Sequence, residues 1–171
     1  MSSAEAVYSW PYDPSNGAVG TRSTLINNMT NADHISRTLT LSKKEEGQLL
    51  VSRGSAENID AGTRDISSGR SQIRVFDLNS IPSGRPYDYS SEGRILGWGL
   101  RNDVGVAEEP ITGRVYSVEN SADQLTRDGV DIHTNNPGEE LNSFLALSDP
   151  PPTSPPNYGY PDVSILCKTC N

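Results

Sequence analysis

His34 stands in the stretch Asp33-His34-Ile35-Ser36-Arg37, a setting in which a general base can be built. Imidazole titrates near neutrality and can take a proton from a substrate hydroxyl. Arg101 brings the complementary chemistry, a permanently charged fork that binds or stabilises an anionic oxygen. His133 has Asp131, Glu139 and Glu140 close by in sequence. That set suggests either a metal cluster or a solvated loop in which Glu140 bonds backbone amides, and the second reading is favoured. Cys167 and Cys170 form Cys-Lys-Thr-Cys, a spacing used by redox pairs and by half of a zinc site. Zinc wants four ligands and a redox pair wants a βαβ setting, and neither is supplied. A disulfide or two idle thiols in a frayed tail is the plainer expectation.

The elements that must position these residues read as short strands. Ala6–Trp10 runs into the turn signal Asp13-Pro14-Ser15-Asn16-Gly17. Arg37–Leu41 and Gln48–Ser52 flank a charged turn ending at Gly47 and read as a hairpin. Gln72–Leu78 alternates polar and apolar residues, which predicts a half-buried strand. Val104–Ala107 and Arg114–Val118 make another hairpin around Pro110-Ile111-Thr112-Gly113. Trp10 and Trp98 fall inside strand-like runs and are expected to pack there rather than to serve as sugar platforms.

These runs repeat. An offset of 66 places Gly47 on Gly113, Gln48–Ser52 on Arg114–Val118, Ser55 on Ser121, and His34 on Leu100 beside Arg101. Val7 and Val75, 68 apart, open a second matching pair of strands. Stacked units of this kind point to an all-β fold and, with four strands per unit, to a β-propeller. In a propeller, equivalent positions of successive blades share one height above the axis, so His34 and Arg101 are expected to face one site. At about 66 residues per blade the 171 residues supply two to three blades, whereas a closed ring needs about four or more. The expectation is therefore a piece of a propeller over residues 1–147, followed by a Pro-rich loop and C-terminal tail over 148–171. Within that tail Asn157-Tyr158-Gly159-Tyr160-Pro161 is a tight aromatic turn that can open a further blade.

Composition sets the limits. Lys and Arg number 14 against 22 Asp and Glu, a net charge of −8, which repels phosphate backbones and argues against a nucleic-acid partner. No run nears the ~18 apolar residues of a membrane helix, so no membrane partner is expected. Met1–Glu5 offers neither a basic region nor an apolar run, so no signal peptide is expected in this chain. Hydrophobic residues at 33%, with 15 Gly and 12 Pro, favour short strands joined by long loops over helices. Asn28-Met29-Thr30 is a glycosylation sequon, usable only in a secreted protein.

Five motifs occur in order: Asp33–Leu39, Gly99-Leu100-Arg101-Asn102, Ser117-Val118-Glu119-Asn120, Asn136–Asn142 and Asn157–Pro161. Together they resemble the glucose/sorbosone dehydrogenase superfamily, and most closely its fungal pyrroloquinoline-quinone-dependent pyranose dehydrogenases. The likeness runs from about Val7 to Pro161, and the residues after Pro161 do not look like family sequence. It implies a six-bladed propeller with pyrroloquinoline quinone (PQQ) and a calcium ion (Ca2+) over its central channel. It also implies a sugar as substrate, an extracellular location, and an external electron acceptor such as a cytochrome domain or protein. His34 matches the base that takes the sugar hydroxyl proton while hydride passes to the quinone. Arg101 and Asn102 match contacts to the quinone oxygens, and Asp33 lies beside the base in the same pocket. Ser121 and Ala122 match the turn whose backbone carbonyls bind calcium. Two departures stand out. Bacterial relatives place an acidic residue where Ser55 stands, orienting the histidine, and Gly-Pro where Ser121-Ala122 stands.

Two rival readings come from other classes. A non-catalytic, truncated propeller piece or binding module suits a chain lacking blades. A calcium-dependent propeller lactonase suits the architecture but leaves Asp33-His34 and Leu100-Arg101-Asn102 without a reason.

Overall fold

The computed structural model describes residues 1–133 and 138–162; Asn136, Pro137, Cys167 and Cys170 lie outside the described residues. Within them the fold is all-β, with short 3-10 turns at Ala61–Arg64, Ile66–Ser68 and Leu78–Ser80. Among the described residues no helix is long and apolar enough to cross a membrane.

The strands follow the turn chemistry. β1 (Val7–Ser9) leads to the small hairpin of β2 (Tyr12–Asp13) and β3 (Ala18–Val19), and then to β4 (Ser23–Asn27). In that hairpin Asp13 Oδ1 accepts from Ser15 N, and Gly17 takes a φ of 73° that glycine allows at no steric cost. β5 (Leu39–Leu41), β6 (Gln48–Arg53), β7 (Gln72–Asp77), β8 (Tyr87–Asp88) and β9 (Arg94–Trp98) come next. They are followed by β10 (Asp103–Glu108), β11 (Arg114–Glu119), β12 (Thr126–Arg127), β13 (Val130–Asp131) and β14 (Glu140–Ala146). Both predicted hairpins form, β5 with β6 and β10 with β11, each antiparallel.

Three sheets pack face to face. The middle one, in the order β5-β6-β7-β9, lies between β1-β4-β8 and β10-β11-β14. Residues of β6 alternate between two cores. Leu49 and Val51 join Val7, Ile26, Met29, Phe76 and Tyr89 on one side, and Leu50 joins Ile73, Val75, Leu96, Val115 and Phe144 on the other. Burying a large apolar side chain contributes about 1.5–3 kcal/mol, so these two layers carry most of the hydrophobic stabilisation.

The Gln72–Leu78 run is not half-buried, as its alternation predicts; residues 72–76 of β7 are all buried. The polar face is satisfied internally rather than by water. Gln72 donates to Ile66 O at 2.7 Å and Arg74 Nε donates to Gln72 Oε1 at 2.8 Å. The buried Tyr89 hydroxyl lies 2.9 Å from Gln72 O, and two guanidinium groups flank its ring. A polar stripe covered by a neighbouring sheet has the same sequence pattern as one facing solvent.

The middle sheet joins the β10-β11-β14 sheet along a seam between β5 and β10 whose bonded pairs stand 66 residues apart. Thr38 Oγ1 donates to Val104 O at 2.9 Å, Thr40 Oγ1 to Val106 O at 2.8 Å, and Ser42 Oγ to Glu108 Oε1 at 2.7 Å. The aligned turn glycines, Gly47 and Gly113, have φ of 81° and 75°. Beyond β14 the chain returns to the middle sheet. Tyr158 N donates to Trp98 O at 2.9 Å and Tyr160 N to Gly99 O at 3.0 Å, and the Tyr158 ring packs tilted at 52° against Phe144 with centroids 4.9 Å apart.

Candidate functional site

A cavity of about 390 Å³ opens where the loops after β4, β9 and β11 meet. His34, Arg101, Asn102, Ser121 and Ala122 all line it, joined by Asn120, Asp123, His133 and Glu139. Its volume falls in the range of small-molecule sites, which run from about 300 to 1,000 Å³.

His34 is placed by the loop between β4 and β5. Arg37, buried, donates to the His34 carbonyl at 2.7 Å and to those of Ser36, Ala4 and Met29 at 2.6, 3.0 and 2.5 Å. Burial lowers its pKa to about 10, so it stays charged at neutrality. Asn31 ties the same loop to the end of β6, donating to Gly54 O at 2.7 Å. His34 itself adopts a φ of 40°, unusual for a non-glycine residue.

The hydrogen bonds fix its tautomer. Ser55 Oγ donates to Glu57 O at 2.8 Å, so its oxygen is left to accept. His34 Nδ1, 2.9 Å from that oxygen and 3.2 Å from Ser55 O, therefore carries the ring hydrogen. Nε2 keeps the lone pair. Burial first, and then the charge of Arg101, hold the His34 pKa below its ordinary value, against the opposing pull of Asp33 and the Ser55 carbonyl. His34 is therefore a neutral imidazole at pH 7, as a base must be. Asp33 is not among the residues lining the cavity. Its carboxylate instead accepts from His34 N at 2.8 Å.

Arg101 is 6% exposed and tightly held. Its Nε and Nη2 donate to Asn58 O and Oδ1 at 3.0 and 2.8 Å, and its Nη1 donates to Asn120 O at 3.1 Å. Three of its five N–H groups are thus committed, and among the described residues the other two make no hydrogen bond and remain for a ligand. Its backbone N–H donates to Glu119 Oε1 at 2.8 Å. Burial, and next the Asp103 carboxylate opposite on β10, push Glu119 up to about 9. A protonated Glu119 accepts that bond without neutralising the guanidinium, which stays available to an anion.

Asn102 meets His34 across Gly54. A Cβ on Gly54 would lie 2.5 Å from Asn102 Oδ1 and 2.8 Å from His34 Cβ, so only glycine permits this approach. On the far wall Glu139 Oε2 accepts from Ser121 N at 2.6 Å. The amide-bonding role read for Glu140 thus belongs to Glu139. Glu140 instead lies across from Glu119 on the β11–β14 ladder. His133 pairs with Asp131 at 2.6 Å and faces the cavity, and the bond to Asp131 raises its pKa. Among the described residues no group of three or more His, Cys, Asp or Glu is arranged to hold a metal.

The family model described as TrAA12-like matches residues 1–169. The chain belongs to this family. The match runs beyond Pro161, so the likeness extends into a segment whose sequence had shown none. A relative, the pyrroloquinoline quinone-dependent sugar dehydrogenase of Hypocrea jecorina (strain QM6a), is 47% identical over 98% of the chain. The chain spans 39% of that relative's length. The calcium structure of the Trichoderma reesei family AA12 protein superposes with a TM-score of 0.89 at 47% identity, covering 96% of this chain and 41% of that one. The holo form of the pyranose dehydrogenase PQQ domain from Coprinopsis cinerea superposes with a TM-score of 0.87 at 40% identity, covering 98% and 41%.

Asn58 was not singled out by the sequence, Glu119 was not given a role, and Glu139 was named only as a neighbour of His133. Glu119 stands inside the Ser117–Asn120 motif, which is the one signal that could have found it.

Proposed function

We propose that this chain forms part of a quinone-dependent sugar dehydrogenase that oxidises a pyranose hydroxyl and passes electrons to an external acceptor. The stacked sheets are successive blades of a six-bladed propeller, a reading supported by the 66-residue spacing of the seam pairs. The observation that carries the function is the neutral, Ser55-held imidazole of His34 in one cavity with the part-committed guanidinium of Arg101.

The donor set fits the cofactor. Pyrroloquinoline quinone is an anion rich in acceptor oxygens, and the two remaining N–H groups of Arg101, with the amide of Asn102, would hold it. Calcium takes hard oxygen ligands, and the carbonyls of Ser121 and Ala122 on the cavity wall would be the groups to hold it. When bound, the quinone supplies the hydride acceptor. His34 Nε2 takes the sugar hydroxyl proton as the carbon–hydrogen bond breaks. The imidazolium so formed keeps its Nδ1–H bond to Ser55. Burial and then Arg101 keep His34 neutral beforehand, and the guanidinium would stabilise negative charge on a quinone bound beside it.

His34→Ala tests the reading. In the quinone- and calcium-loaded protein, sugar-dependent reduction of a dye acceptor falls about 100-fold or more while quinone binding persists. A loss of only a few-fold would remove His34 as the base.

A further inference from the structure

Asn58 does not line the cavity, yet it grips both of its halves. Its Oδ1 accepts from Arg101 Nη2 at 2.8 Å, and its main-chain oxygen accepts from Arg101 Nε at 3.0 Å. The same Oδ1 accepts from Asp123 N at 2.9 Å, while Nδ2 donates to Asp123 O at 2.8 Å. Asp123 directly follows Ser121-Ala122. The amide thus pairs with one peptide unit as a second backbone would, and spends its remaining acceptor capacity on the guanidinium. A carboxylate lacks the donor and a hydroxyl lacks the second acceptor geometry, so the side-chain type follows from the task.

The loop carrying Asn58 is itself braced from the far end of the chain. The buried Tyr160 hydroxyl accepts from Asp60 N at 2.7 Å and lies 3.2 and 3.0 Å from the carbonyls of Glu57 and Asn58. Asn58 O is therefore shared between Tyr160 and Arg101.

We infer that Asn58 is a positioning residue that sets the separation between the Arg101 guanidinium and the 121–123 turn, so that a multiply anionic quinone and its cation meet a preformed site. The ligand half of this inference rests on the function proposed above; the clamp itself does not. Outer partners of this kind typically govern affinity by about 10- to 100-fold.

The test uses the full chain carrying Asn58→Ala, with Asn58→Asp as a same-size second variant that keeps the acceptors and loses the donor. Amide exchange at Asp123 reads the clamp without any ligand. Exchange there speeds at least about tenfold in Asn58→Ala, and by less in Asn58→Asp, whose retained Oδ1 still accepts from Asp123 N, while Val51, in the core of β6, is unchanged in both. Unchanged exchange at Asp123 overturns the clamp. Titration with pyrroloquinoline quinone, with and without calcium, reads the function. Affinity falls about tenfold or more in Asn58→Ala, but less than about twofold when Arg101→Gln is already present, because the effect runs through the arginine. Equal losses in the two backgrounds overturn the positioning role. A wild-type chain that takes no quinone while Asp123 exchange still responds supports the clamp and overturns the dehydrogenase reading.

Discussion

His34 Nδ1 lies 2.9 Å from Ser55 Oγ, and that hydroxyl has already given its hydrogen to Glu57 O. A neutral serine therefore fixes the ring hydrogen on Nδ1 and leaves the lone pair on Nε2. Ser55→Ala leaves only the weaker contact to the Ser55 carbonyl at 3.2 Å. Sugar turnover by the loaded protein is expected to fall about tenfold with quinone affinity unchanged. Ser55→Asp is expected to move the acid limb of the pH–rate profile upward, since an adjacent carboxylate favours the imidazolium. Steady-state profiles of the two variants check both.

The His34 ring protonates below the usual imidazole value, chiefly through burial and secondly through Arg101. Activity is expected to be lost as pH falls through a midpoint under about 6.5. Arg101→Gln removes the repelling charge, so the midpoint rises. An NMR titration of the His34 ring in the ligand-free chain reads that shift directly, and a midpoint unmoved by Arg101→Gln would show that the two side chains do not sense one another.

Asp103 is buried on β10, faces Ser117, Asn142, Glu119 and Glu140, and has its pKa pushed up to about 7, mainly by burial. Its native pKa exceeds its unfolded value, so the folded chain binds the extra proton between about pH 4 and about 7. Stability is accordingly greatest at the acid end of that window and declines as pH rises through it. Asp103→Asn keeps the neutral form at every pH. Its thermal midpoint is expected to exceed that of the wild type by a few degrees at pH 8 and to match it near pH 5, as read by calorimetry.

Gly54→Ala places a methyl group against Asn102 and His34 at the distances given above. Overpacking of this sort costs about 1–3 kcal/mol. A lowered thermal midpoint together with weakened quinone binding is the expected result, because the neighbours forced apart are the site itself. A fall in stability with binding intact would show that the two side chains part without consequence.

The co-location of His34 and Arg101 was legible because it follows from the repeat, and aligning Gly47 with Gly113 sets both residues in one frame. The hairpins were legible for the same reason, their turns being written in glycine and short polar residues. The double burial of β7 was not, since polar residues covered by a sheet and polar residues facing water alternate alike. Asn58 was hidden for another reason. Its partners are 43 and 65 residues away, and one amide in a loop carries no periodicity to betray them. Glu139 and Glu140 are adjacent, and only the strand register decides which of them turns toward Ser121.

The hydroxyls of Thr38 and Thr40 repeat every second residue, and so do the carbonyls that receive them. On their own they would seat equally well after a slide of two positions, much as a toothed rack engages at every notch. Ser42 and Glu108 meet only once, and Glu108 also receives Lys43 N at 2.7 Å. That single carboxylate is the keyed tooth. It selects one alignment of the edge strands β5 and β10, and with it how the base in the loop before one strand confronts the cation in the loop before the other.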